Sequence, residues 1–141
     1  MNSKNLYLWM MSLLAIVGMA MSGHGQDADP AIGPRGFVRL LNAVGVGNGK
    51  LDFMIDGSRV RDEGYQFGDV TGGIPRKPGS FMIAFRRDGL ETGETKVDVI
   101  KNETITLIPF AEYVPASDRK EACWTIRILR LKQSDTDKSL G

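Results

Sequence analysis

Beyond residue 36 the chain alternates apolar and polar positions with a period of two, the signature of half-buried β-strands. Phe37-Val38-Arg39-Leu40-Leu41 turns Val38 and Leu40 inward and Arg39 outward. Leu51-Asp52-Phe53-Met54-Ile55-Asp56 puts Leu51, Phe53 and Ile55 on one face. Asp56-Gly57 is a hairpin signal, and Ser58-Arg59-Val60-Arg61 is its short return strand. Phe81-Met82-Ile83-Ala84-Phe85-Arg86 and Thr95-Lys96-Val97-Asp98-Val99 repeat the pattern. Glu103 to Phe110 follows the turn Lys101-Asn102-Glu103 as a partner strand. The last strand, Cys123 to Lys132, carries Trp124, Ile126 and Ile128 on one face and then shifts to Leu129 and Leu131. A bulge near Ile128 would keep both halves inward.

No stretch shows sustained helical periodicity. About seven short strands, with turn signals every 8–12 residues or so, predict an all-β antiparallel sandwich. Pro75, Pro78 and Gly79 mark a turn, and Tyr113 to Lys120 a longer loop. Burial of a large side chain is worth roughly 1.5–3 kcal/mol. Phe53, Phe81, Phe85, Phe110 and Trp124 are the expected anchors, and Trp124→Ala should cost about 3–5 kcal/mol if Trp124 is core.

The N-terminus departs from this pattern. Lys4 is followed by an uncharged apolar run from Leu6 to Met21, then by Ala20, Ser22, Gly23 and Gly25. That order reads as a secretory signal peptide over residues 1–25, with cleavage fitting after Ser22 or Gly25. The run falls short of the roughly 20 residues a membrane-spanning helix needs, so no stable span is expected after cleavage. Residues 26–35, rich in Asp, Gly and Pro, form a flexible lead-in. Residues 36–133 form one β domain, and the polar residues 134–141 a disordered tail.

Export changes the chemical inventory. The chain has 18 basic and 17 acidic residues, and loss of Lys4 leaves 17 of each. No basic excess points to nucleic acid. The single histidine, His24, sits at the cleavage region. The mature domain then has no histidine for Ser-His-Asp or Cys-His catalysis or for the usual zinc sites. No cofactor is implied. Cys123 is the only cysteine, which excludes an internal disulfide and reads as a small buried hydrophobe.

Several motifs are more specific. Val38-Arg39-Leu40-Leu41-Asn42-Ala43 precedes the Leu51 to Gly57 hairpin; Tyr65, Phe67-Gly68-Asp69-Val70 and Pro78-Gly79 follow. This arrangement, from Gly36 to about Phe110, resembles the bacterial extracytoplasmic domain-of-unknown-function family forty-three ninety-seven. That family shows Tyr where Phe67 stands, and His-Ala-Ser-Pro in place of the Asn42 to Gly47 stretch. The resemblance implies an immunoglobulin-like sandwich in an exported or surface protein. It brings no reaction and no catalytic residue.

Tyr65, Phe67, Gly68 and Asp69 are the sharpest candidates for a ligand-binding or structural motif. Asp69 reads as a turn residue capping backbone N–H groups, with a weak Ca²⁺ site alongside Asp62 and Glu63 as the functional counterpart. Gly45, Gly47 and Gly49 lack the following helix that a phosphate loop requires. Arg59, Arg61, Arg76, Lys77, Arg86 and Arg87 make a basic patch only if their loops converge; Asp62, Glu63 and Asp88 lie among them. Asp52, Asp56 and Asp98 raise a carboxylate-pair glycosidase, but alternation turns Asp52 and Asp98 to solvent. Asn102-Glu103-Thr104 is a glycosylation sequon and an ordinary turn. The expected function is therefore a non-enzymatic exported module for binding or assembly, with an envelope protein or glycan as partner. The alternative is an enzyme or enzyme accessory acting on extracellular polysaccharide.

Overall fold

A computed structural model describes residues 33–134. The expected signal peptide, the lead-in up to Ile32 and the tail beyond Ser134 lie outside these residues. The described part is all-β, with eight strands: β1 (Gly36–Leu40), β2 (Asn48–Ile55), β3 (Ser58–Arg59), β4 (Ile74–Arg76), β5 (Gly79–Asp88), β6 (Gly93–Val99), β7 (Glu103–Val114) and β8 (Cys123–Ser134). They form two four-stranded sheets, ordered β4-β1-β7-β8 and β3-β2-β5-β6. The second sheet is antiparallel throughout. The first contains one parallel pair, β1 beside β7, from Phe37↔Thr104 to Leu40↔Leu107.

The core lies between the sheets and follows the alternation. Val38 and Leu40 meet Ile105, Leu107 and Ile126 from the first sheet; Leu51, Phe53, Ile83, Phe85 and Val97 face them from the second. Phe53 and Phe85 are fully buried and stacked, with ring centroids 5.0 Å apart. The β2–β3 hairpin closes as expected. Asp56 and Gly57 adopt φ of 48° and 80°, the paired left-handed geometry that Asp-Gly supplies to a two-residue turn. The Asp56 carboxylate accepts from the Met82 N–H at 2.7 Å, tying the turn to β5.

Several expectations need correction. There are eight strands, not seven. The extra one, β4, occupies the Pro75 region read as a turn; it is an edge strand, where a proline without an N–H is tolerated. The return strand β3 ends at Arg59, and β7 runs on to Val114. No bulge interrupts β8: its register with β7 is continuous from Glu103↔Ser134 to Val114↔Cys123. The apolar shift therefore changes face. Ile126 is buried, whereas Leu129 and Leu131 stand on the opposite face, 50% and 47% exposed. Phe81 is only partly buried against the core. Phe110 and Trp124, expected as anchors, are 38% and 39% exposed. Phe110 points to the outer face, and Trp124 sits opposite Tyr113 near the turn end of the β7–β8 hairpin. Cys123, at the start of β8, is a half-buried free thiol.

Candidate functional sites

The Tyr65–Asp69 segment is built onto the end of β1 by one residue, Asn42. This amide is completely buried. Its Nδ2 donates to the Gln66 carbonyl at 2.8 Å and the Tyr65 carbonyl at 3.3 Å, while its Oδ1 accepts from the Val44 N–H at 3.0 Å. The Asn42 backbone adds two bonds, its N–H to the Asp69 carbonyl at 2.9 Å and its carbonyl from the Gly68 N–H at 2.8 Å. Gly68 sits at φ 86°, in the left-handed region that favours glycine. The Asp69 carboxylate accepts from the Gln66 N–H at 2.8 Å, the turn-capping role expected of it. Asp69→Ala should lower stability by about 1 kcal/mol, with Asp69→Asn retaining most of it, in denaturant titrations.

The four residues of the motif thus separate in role. Tyr65 is buried against Phe53, ring centroids 6.2 Å apart, with the Arg61 guanidinium 5.6 Å from its ring centre. Burial pushes its hydroxyl above the ordinary tyrosine range, with Arg61 opposing. Gly68 and Asp69 shape the turn, and Phe67 alone stands clear, 65% exposed. Glu63 pairs with Arg61 at 3.6 Å. Among the described residues no three His, Cys, Asp or Glu side chains gather as a metal site.

The expected basic patch divides. Arg59, Arg86 and Arg87 meet in a polar cleft of about 560 Å³ with Lys50, Asp52, Glu63 and Asp88. Arg59 pairs with Asp52 at 2.9 Å, and Arg87 donates to the Val44 carbonyl. Arg76 lies in β4 of the other sheet. The acids separate too. Asp52 and Asp98 lie on β2 and β6, with β5 between them. Asp98 accepts from the Ser80 hydroxyl, and Asp56 serves its turn. The glycine loop leads straight into β2.

The two outer faces differ in chemistry. That of the β3-β2-β5-β6 sheet carries Asp52, Arg59, Arg86, Glu94, Lys96 and Asp98 around Met54, Met82 and Ala84. That of the β4-β1-β7-β8 sheet carries an apolar band set among Arg39, Thr104, Thr106, Glu112 and Arg127. Bridging sets Val70 beside Leu41, and the register continues through Ile108 to Leu129 as one transverse row. Leu131 and Phe110 flank it, and Phe37 lies one row further, beyond Arg39. Val70 is 55% exposed, and contiguous apolar surface of this kind marks interaction sites. The alternation hid this face because Phe110 reads as a core anchor and a bulge near Ile128 would have turned Leu129 and Leu131 inward.

β8 is also an edge. At its start the Glu91 N–H donates to the Trp124 carbonyl at 2.9 Å, and the Ile126 N–H to the Glu91 carbonyl at 3.1 Å. The Glu91 side chain is held by Lys120 at 2.6 Å, a bond that keeps its carboxyl below the usual carboxylate range. Among the described residues no helix is long and apolar enough to cross a membrane. No protein-family model, curated protein or solved structure matches this chain.

Proposed function

We propose that this chain is an exported, non-enzymatic β-sandwich module that acts by binding or assembly at the cell envelope or outside the cell. The observation that carries this reading is the apolar outer face of the β4-β1-β7-β8 sheet. Row and flanks expose hydrophobic side chains on a face with no covering layer among the described residues. A monomer gains nothing from that exposure; a partner that covers it does. The apolar run from Leu6 to Met21 supports export, and the motifs between Val38 and Gly79 resemble those of an immunoglobulin-like extracytoplasmic family. The acids that an enzymatic reading would use are engaged in turns and pairs: Asp56 with Met82, Asp98 with Ser80, Asp52 with Arg59.

The test is capture from envelope fractions and culture medium with the native chain and with a Phe110→Thr, Leu129→Thr variant. Threonine removes apolar surface while keeping strand preference. A specific protein or glycan retained by the native chain and lost by the variant, at unchanged thermal stability, is the expected result. Equal retention by both, or no specific partner, would overturn the reading.

A further inference from the structure

We infer that the free edge of β8 receives an extended peptide segment of a partner protein in which acidic and apolar residues alternate. This rests on the binding role proposed above and names the chemistry of its partner.

Glu91 fixes which way the backbone groups of β8 point. Its bonds to Trp124 and Ile126 show that even-numbered residues of β8 point their N–H and C=O groups away from β7. Beyond Ile126 those outward groups belong to Ile128, Arg130 and Lys132. Among the described residues β8 is paired on that side only through Glu91. The opposite margin of the sandwich ends in β3 and β4, of two and three residues. Short edges of that kind resist added strands, whereas β8 has 12 residues.

The side chains choose the occupant. β8 carries Arg127, Arg130 and Lys132 and no acid. Arg127 is matched within the molecule by Glu112 at 2.5 Å. Arg130 and Lys132 instead line a groove of about 350 Å³ between β8 and β6, together with Lys96 and Asp98. Asp98 is bonded to Ser80, and Arg130 touches β6 only through the Lys96 carbonyl at 3.2 Å. Arg130 and Lys132 thus have no carboxylate partner of their own across the groove. A second copy is a poor occupant: antiparallel two-fold pairing centred on Arg130 or Leu131 sets cation opposite cation, which destabilises a strand pair. An added strand places alternate side chains on opposite faces. Those facing the groove meet Arg130 and Lys132, so acids fit there. Those between them lie beside Leu129 and Leu131 on the apolar face. Backbone bonds give affinity and the alternating side chains give selectivity.

The probe is a short synthetic peptide alternating glutamate and valine, titrated calorimetrically into the full chain. A second peptide has the same composition with the glutamates grouped at one end. The alternating peptide should bind at least about tenfold more tightly than the grouped one, since only it matches both faces. Reversal of charge in an Arg130→Glu, Lys132→Glu variant should weaken it by about tenfold or more. Lys132→Pro, which deletes an outward N–H and leaves the β7 ladder intact, should weaken it likewise. If that proline variant melts early, the charge reversal carries the decision. Equal binding of both peptides, no binding, or sedimentation showing a dimer abolished by the reversal each overturns the inference. A captured partner that needs Phe110 and Leu129 yet ignores the charge reversal would sink the edge site and leave the broader binding role standing.

Discussion

Replacing Asn42 by alanine is expected to cost about 2–4 kcal/mol of folding stability, a large share of the 5–15 kcal/mol or so that holds a domain of this size. The residue is fully buried, and alanine leaves the Val44 N–H without its acceptor. The carbonyls of Tyr65 and Gln66 suffer less. Each keeps a backbone donor, Leu51 N–H at 2.8 Å and Asp69 N–H at 3.1 Å. The cost is thus one orphaned donor, two lost bonds and a small cavity. Asn42→Asp separates these terms. It preserves the bond to Val44 and the side-chain volume but aims a carboxylate oxygen at two carbonyls. Burial and that repulsion raise the carboxyl pKa in the folded state. The protonated form donates one of the amide's two bonds, so most of its stability is retained below the ordinary aspartate pKa and lost as pH rises through the raised value. Chemical denaturation of Asn42→Asp between acid and neutral pH should show that decline relative to the native chain. A flat difference across that range would remove Asn42 as the donor that staples the motif.

The same residue marks how far sequence reading reaches. Alternation located the strands at Val38–Leu40, Leu51–Ile55, Ile83–Phe85 and Val97–Val99, because each has one face in the core and one in water. Asp56-Gly57 declared its turn through a backbone geometry few other residue pairs adopt. Asp69 declared its cap for a similar local reason. Asn42 shows locally only its bond to Val44, since the partners of its amide nitrogen, Tyr65 and Gln66, lie more than twenty residues away. Long-range satisfaction of a buried amide leaves no local spacing to detect. The edge strand β4 was hidden by Pro75, a residue that disfavours most strand positions but is tolerated at a sheet edge. β8 misled for another reason. A strand with apolar residues on both faces can be a bulged core strand or a regular strand with a wet apolar face. Only its uninterrupted register with β7 distinguishes them. The functional candidates follow this division: the legible motif is largely structural, and the apolar face became visible only after the core was filled.

Phe53→Ala should be the most damaging aromatic truncation, at about 3–5 kcal/mol, whereas Trp124→Ala should cost only about 1 kcal/mol. Size alone would rank them the other way. Phe53 has no exposed surface and is enclosed by Phe85 and Tyr65, so truncation opens a cavity that strands on both sides hinder from collapsing. Trp124 is 39% exposed and meets Tyr113 edge-on, ring centroids 5.3 Å apart. Its removal loses that pair and some apolar cover, and water fills the space. Paired denaturant melts of the two variants test the ranking; a Trp124→Ala loss equal to that of Phe53→Ala would return Trp124 to the core. Phe53 also links the core to the Asn42 staple through Tyr65, whose N–H and carbonyl bond Leu51 at 2.8 Å each. Phe53→Leu, a milder change, should therefore be non-additive with Asn42→Ala. Once the staple is gone Tyr65 is free to shift into the space that leucine leaves, so the double variant should lose less than the summed single losses. Strict additivity in that cycle would mean that the motif and the core melt independently, and that Tyr65 merely rests on Phe53 without transmitting strain to it.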